Sequence, residues 1–134
     1  MTQHEQGSSL GIVTKLSPRS VTDTVARLTV LVEEKGLRLF AVIDQAAEAR
    51  QAGLELRETT LVLFGSPAAG TPIMVASPLA ALDLPLRVLV WSDYGQTQVT
   101  YHSPTELAAR HHLSADLARN LAGIDPLTDV LVAP

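Results

Sequence analysis

Phe64-Gly65-Ser66-Pro67-Ala68-Ala69-Gly70-Thr71-Pro72-Ile73-Met74, followed by Asp83-Leu84-Pro85-Leu86 and an apolar run ending in Trp91, decides the fold. Thr59 to Phe64 reads as a strongly apolar strand that runs into a loop stiffened by glycine and proline. Thr71 as N-cap and Pro72 at N1 make a favourable helix start, since the hydroxyl takes an orphan amide and proline has no amide to orphan. Ser77-Pro78 restarts that helix after a bend, and Pro85 leads into another strand. Backbone so constrained between two apolar strands holds something in place, either a packing contact or a ligand.

The pattern extends outward on both sides. Gly11 to Ser17 is a short strand, and Ser20-Val21-Thr22-Asp23 resembles a capping box. Val21, Val25, Leu28 and Val32 follow at helical spacing, and Gly36 ends that helix. Leu37 to Ile43 is apolar on both faces, which predicts a strand inside the sheet beneath a helix. Asp44 caps a short alanine-rich helix that Gly53 ends. Leu86 to Trp91 and Thr97 to His102 form a hairpin around Asp93-Tyr94-Gly95-Gln96. In its second strand Thr97, Val99 and Tyr101 share one face and Gln98, Thr100 and His102 the other, the alternation of a strand with a wet face or at an edge. Ser103-Pro104-Thr105-Glu106 starts a helix running to about His111, Ser114 caps one more that Gly123 ends, and 124–134 is a tail with an apolar strip. The sum is an α+β domain over 10–134, an antiparallel sheet with helices on one side, preceded by a disordered tail at 1–9.

Composition narrows the classes. With 46% hydrophobic and 18% charged residues the chain folds rather than staying disordered. No apolar run reaches the roughly 20 residues that span a bilayer, and the polar start lacks the pattern of a signal peptide, so cytoplasm is the expected compartment. No cysteine is present, which excludes disulfides and thiolate metal sites. The net charge is −4 and the ten Lys and Arg residues never gather into a stripe, so neither nucleic acid nor membrane is an expected partner.

Read together, Ala47 with Gly53-Leu54-Glu55-Leu56, Leu63-Phe64-Gly65-Ser66-Pro67, Gly70-Thr71-Pro72-Ile73-Met74, Leu82-Asp83-Leu84-Pro85-Leu86, Val90-Trp91, Tyr101 to Pro104 and Ala109-Arg110-His111 resemble the bacterial family catalogued as domain of unknown function 302. The resemblance covers about residues 10 to 125. It implies a β-α-β(4)-α fold like one repeat of the TATA-binding protein, assembled as a homodimer, and it implies no DNA binding. One departure stands out: Gln45 follows Asp44 where the family commonly has histidine. Glutamine cannot replace a histidine acid or base, so either a chemistry is lost here or the position was never chemical. Ser66 stands where asparagine is common.

The candidate site residues come from the same stretch. Gly65 and Gly70-Thr71 have the glycine spacing of a phosphate loop, but its lysine is missing and Pro67 and Pro72 remove two amides, so a nucleoside triphosphate is not the expected ligand. The helix start near Thr71 could still receive a carboxylate or phosphate. Asp83 caps a turn or pairs with an arginine such as Arg87 or Arg110. His111 and His112 are adjacent, so they point about 100° apart on a helix and cannot share a metal. Ser66 lacks the G-x-S-x-G context of a nucleophile. Trp91 and Tyr101 are placed as a cross-strand aromatic pair. These residues predict a homodimeric binding or interaction module without cofactor or metal. It would hold a small anionic or amphipathic molecule between Gly65, Gly70, Thr71, Asp83 and the Trp91, Tyr101 and His102 surface, with Arg110 and His111 nearby. The alternative is an enzyme that uses Asp83 with His102 or His111 as an acid–base pair.

Overall fold

A computed structural model describes residues 11–134, so the tail predicted at 1–9 lies outside the described residues. Strands β1 (Ile12–Ser17), β2 (Arg38–Asp44), β3 (Thr59–Gly65), β4 (Leu86–Asp93) and β5 (Gln96–His102) form one antiparallel sheet in the order β1-β5-β4-β3-β2. Helix α1 (Val21–Glu34) follows β1, and α2 (Gln45–Gln51) follows β2. Between β3 and β4 lie α3 (Pro67–Ala76) and a 3-10 turn (Pro78–Leu82). After β5 come α4 (Pro104–Arg110), α5 (Ala115–Ala118), a 3-10 turn (Arg119–Leu121) and α6 (Ile124–Leu131). This is the expected α+β arrangement.

The main core lies between one sheet face and the helices α1 and α6. Val62, Val88, Val90 and Val99 have no exposed surface and pack against Leu28, Val32, Leu127 and Leu131. Side chains alternate along a strand, so this parity sends Leu61, Leu89 and Trp91 to the opposite face. A second, smaller core of Ile73, Ala80, Leu107 and Leu121 joins α3, its 3-10 turn, α4 and the turn before α6.

Three expectations are corrected. The strand after Gly36 is not interior: β2 is an edge strand, with Leu39, Phe40 and Val42 each more than 40% exposed and a bulge between Leu39 and Ala41. β5 conversely is no edge, because β1 pairs with it along Ile12–Ser17. The segment 124–134 is not a tail. Ile124, Leu127, Thr128 and Leu131 recur at helical spacing as the buried stripe of α6, and Gly123 (φ −62°) begins that helix rather than ending the previous one.

Cations from the N-terminal third hold α6 down. Arg19 donates to the carbonyls of Leu131 and Ala133 at 3.0 and 2.8 Å, and Arg27 to that of Val130 at 3.1 Å, where helix carbonyls otherwise lack partners. Lys15 donates to Thr128 Oγ1 at 2.8 Å and pairs with Asp129 at 2.8 Å. The Tyr101 hydroxyl, 3% exposed as a residue, donates to Asp125 Oδ1 at 2.5 Å. Burial, reinforced by that bond, pushes the Tyr101 hydroxyl up, which keeps it a neutral donor. Burial pulls Lys15 down, but Asp129 and Tyr101 outweigh it and raise the ammonium, so the cation persists. Replacing Tyr101 by Phe leaves Asp125 without its buried donor. The expected cost is about 1–2 kcal/mol, a fall of about 3–8 °C in Tm by circular dichroism, with the secondary structure unchanged.

Candidate functional site

The Gly65–Gly70 segment folds differently from the predicted loop. Ser66, not Thr71, caps α3: its backbone is extended and its hydroxyl accepts the Ala69 N–H at 3.2 Å. Pro67 takes the N1 position, and Pro72 lies inside the helix. Gly70 and Thr71 are therefore helical, and the anion-receiving start placed at Thr71 moves back to Ser66.

Around this helix start lies a groove of about 280 Å³. Gly65, Ser66, Gly70, Met74, Phe40, Leu84, Leu86 and Leu121 are among the residues that line it. Gly70 leaves the space open, since a Cβ there would reach only ordinary contact with Leu84 and Met74, at 3.8 and 3.9 Å. Asn120 Nδ2 donates to the Ala69 carbonyl at 3.0 Å and ties the far wall to α3. A second groove of about 350 Å³ adjoins it through Gly65, Ser66, Ala69, Leu86 and Asn120, and reaches Lys35, Leu37 and Val130. Both have walls dominated by apolar side chains with few polar groups, the usual make-up of a small-molecule site.

Behind the Leu84 wall sits an ion cluster. Asp83 Oδ2 lies 2.6 Å from His111 Nε2 and accepts from Arg110 at 3.1 Å, and Arg110 also pairs with Glu106. His111 reaches this place as the C-cap of α4, whose N-cap Ser103 accepts from Glu106 as the capping box predicts. Burial raises the Asp83 carboxyl, but the hydrogen bonds from His111 and Arg110 outweigh it and hold it below its ordinary 3.8. Asp83, Leu107 and His111 line a void of only about 10 Å³, at the lower limit for one water and too small for a substrate.

The predicted site residues thus separate into three places. Gly65 and Gly70 line the groove, whereas Thr71 is exposed and does not. Asp83, Arg110 and His111 form the ion cluster. Trp91 and His102 stand on the sheet face away from α1, where Trp91 pairs with Gln98 and its Nε1 donates to Thr100 at 3.0 Å. Tyr101 lies on the opposite, helix-covered face, so it and Trp91 make no aromatic pair; the two positions have opposite parity across β4 and β5. His102 likewise sits apart from Asp83, leaving His111 as the histidine that meets it. Gln45 is exposed at the start of α2 and lines neither groove. Among the described residues there is no group of three or more His, Cys, Asp or Glu suited to a metal, and no helix long and apolar enough to cross a membrane. Groove residues that sequence reasoning missed are Phe40, Met74, Leu84 and Asn120. The exposed position of β2, which brings in Phe40, has no local signal.

Residues 13–129 match the family described as domain of unknown function DUF302, and the chain belongs to it. The fold is that of an uncharacterized conserved DUF302 protein from Bacillus stearothermophilus, with a TM-score of 0.77 over 92% of this chain and 97% of that one at 16% identity. The chain is also 40% identical over 111 residues to the fluoride-specific ion channel FluC 1 of Brucella suis, covering 81% of this chain and 44% of that protein. The Brucella abortus FluC 1 protein is similar at the same identity, with 41% of it covered. The chain therefore spans less than half the length of these relatives.

Asp83→Asn tests the cluster. At neutral pH the variant loses about 1–2 kcal/mol, read as a Tm lower by about 3–8 °C. Because the folded carboxyl lies below 3.8, its share of stability is complete above that value and is lost as pH falls beneath it. The gap between wild type and variant should therefore narrow in melts as the pH is taken progressively below 3.8.

Proposed function

We propose that this chain is a small homodimeric binding module that holds one amphipathic molecule in the groove beside Gly65–Gly70 and performs no catalysis of its own. The observation that carries this reading is the groove itself: Phe40, Met74, Leu84, Leu86 and Leu121 present an open apolar lining around a rigid helix start. The Brucella proteins support it in a different way. They contain a segment like this chain within a longer protein named for fluoride conduction, as befits a module that works beside other machinery. The Asp83–His111 pair is what favours the enzyme alternative, but the void beside it is too small for a substrate. Titration with decanol, followed by NMR at the Met74 methyl, checks the groove. Saturable shifts are expected at Met74 and Phe40. Gly70→Leu should fill the space and abolish them without loss of stability, since leucine favours a helix by somewhat under about 1 kcal/mol over glycine.

Homodimer formation fits the open sheet face. Ile12, Leu61, Leu63, Leu89 and Trp91 share a face on which none of the helices α1 and α6 packs. These half-buried apolar side chains alternate across the strands with Arg87, Gln98, Thr100 and His102, a mixed face of the kind a partner covers. A second copy placed there would bury it isologously. Sedimentation equilibrium should give twice the 14.3 kDa chain mass. Leu89→Lys should give the single-chain mass with the fold retained; a wild-type monomer would remove the assembly from this reading.

A further inference from the structure

We infer that the groove selects an anionic amphipath, a hydrocarbon body with a single carboxylate head held by Lys35 and Arg38; this rests on the groove being the binding site. The argument is one of charge. Neither of the two adjoining grooves has an acidic residue in its wall, whereas Lys35 lines one of them. Arg38 stands beside the other groove without lining it: it sits opposite Gly65 in the β2–β3 ladder, and its guanidinium lies 5.3 Å above the ring of Phe40, which forms part of the wall. Neither cation is in an ion pair among the described residues. Glu33 and Glu34 precede Lys35 on α1 but line neither groove.

The helix start itself offers an anion little. Pro67 has no N–H, the Ala69 N–H is taken by Ser66 and the Gly70 N–H by the Ser66 carbonyl, which leaves one first-turn amide, that of Ala68. Asn120 spends its Nδ2 on the Ala69 carbonyl. The full charge of a head group is thus left to Lys35 and Arg38. Arg38 is paired with Gly65, which both grooves share, and Lys35 lies in the wall of the second groove. The chain as a whole, with a net charge of −4, repels an anion at long range, so these local cations decide whether one is held. A cationic or neutral head of the same length gains nothing from them.

The test uses three probes of one chain length below their micelle concentrations: decanoate, decanol and decyltrimethylammonium, each titrated by NMR at Met74 and Phe40. Decanoate should bind about fivefold to tenfold more tightly than decanol, the size expected from two solvent-exposed cations, and decyltrimethylammonium most weakly. Lys35→Gln combined with Arg38→Gln should make the decanoate and decanol affinities of the variant equal. Added salt should narrow the same gap in wild type. Equal affinities for decanoate and decanol, or a preference that survives the double variant, would overturn the inference while leaving the groove as the site. Failure of all three probes at Met74 and Phe40 would overturn both.

Discussion

The alternation along β4 sets the whole architecture. Val88 and Val90 have no exposed surface under α1 and α6, so Leu89 and Trp91 between and beyond them must point the other way. A slip of one residue would exchange the two sets and leave the helices with nothing apolar to cover. Because β4 pairs with both β3 and β5, its parity passes to Leu61, Val62, Val99 and Thr100 through fixed register. The sheet thereby acquires one face closed by helices and one face without them. The polar network of Lys15, Tyr101, Asp125 and Thr128 lies on the closed side and pins α6 there.

The groove arises at the end of this sheet because α3 interrupts the β3–β4 connection. Residues 59–82 contain no charged side chain, so the strand, the helix and the 3-10 turn that form much of its wall are neutral throughout. α3 contributes only Ile73 to the small second core, and its other apolar residues remain outside: Val75 is 77% exposed. A helix so lightly anchored needs other ties. Asn120 supplies one at the first turn, and the packing of Ile73 against Leu107 and Leu121 supplies another.

Sequence patterns reported the strands of the hairpin and the helix caps well, for physical reasons. Ser20, Asp44, Ser103 and Ser114 each accept an amide three residues on, a short-range bond that local sequence encodes. Where two serine- or threonine-plus-proline pairs compete, as at Ser66-Pro67 and Thr71-Pro72, either can start a helix, and only the end of β3 decides between them. The place of β2 at the sheet edge is invisible for a different reason. Its run of apolar residues looks interior, yet strand order is a long-range property. Trp91 and Tyr101 were separable by parity from the hairpin alone, once the pairing of Val90 with Val99 is counted out. The stripe of α6 was legible too, hidden by a glycine that resembles a stop.

The ion cluster and the groove are coupled through one peptide. Asp83 directly precedes Leu84, a wall residue, and would bring a negative charge to the site if left alone. His111 and Arg110 both bind the same carboxylate oxygen and turn it toward α4. Glu106 in turn shares Arg110, so the cluster closes on itself as acid, base and guanidinium rather than facing the groove. Gly11 makes room for this: a Cβ there would overlap the Glu106 side chain. The acid nearest the wall is thus paired behind it, away from the groove. The Asp–His pair in this setting clamps α4 to the segment that carries Leu84, so the wall and the second core are fixed by the same contact.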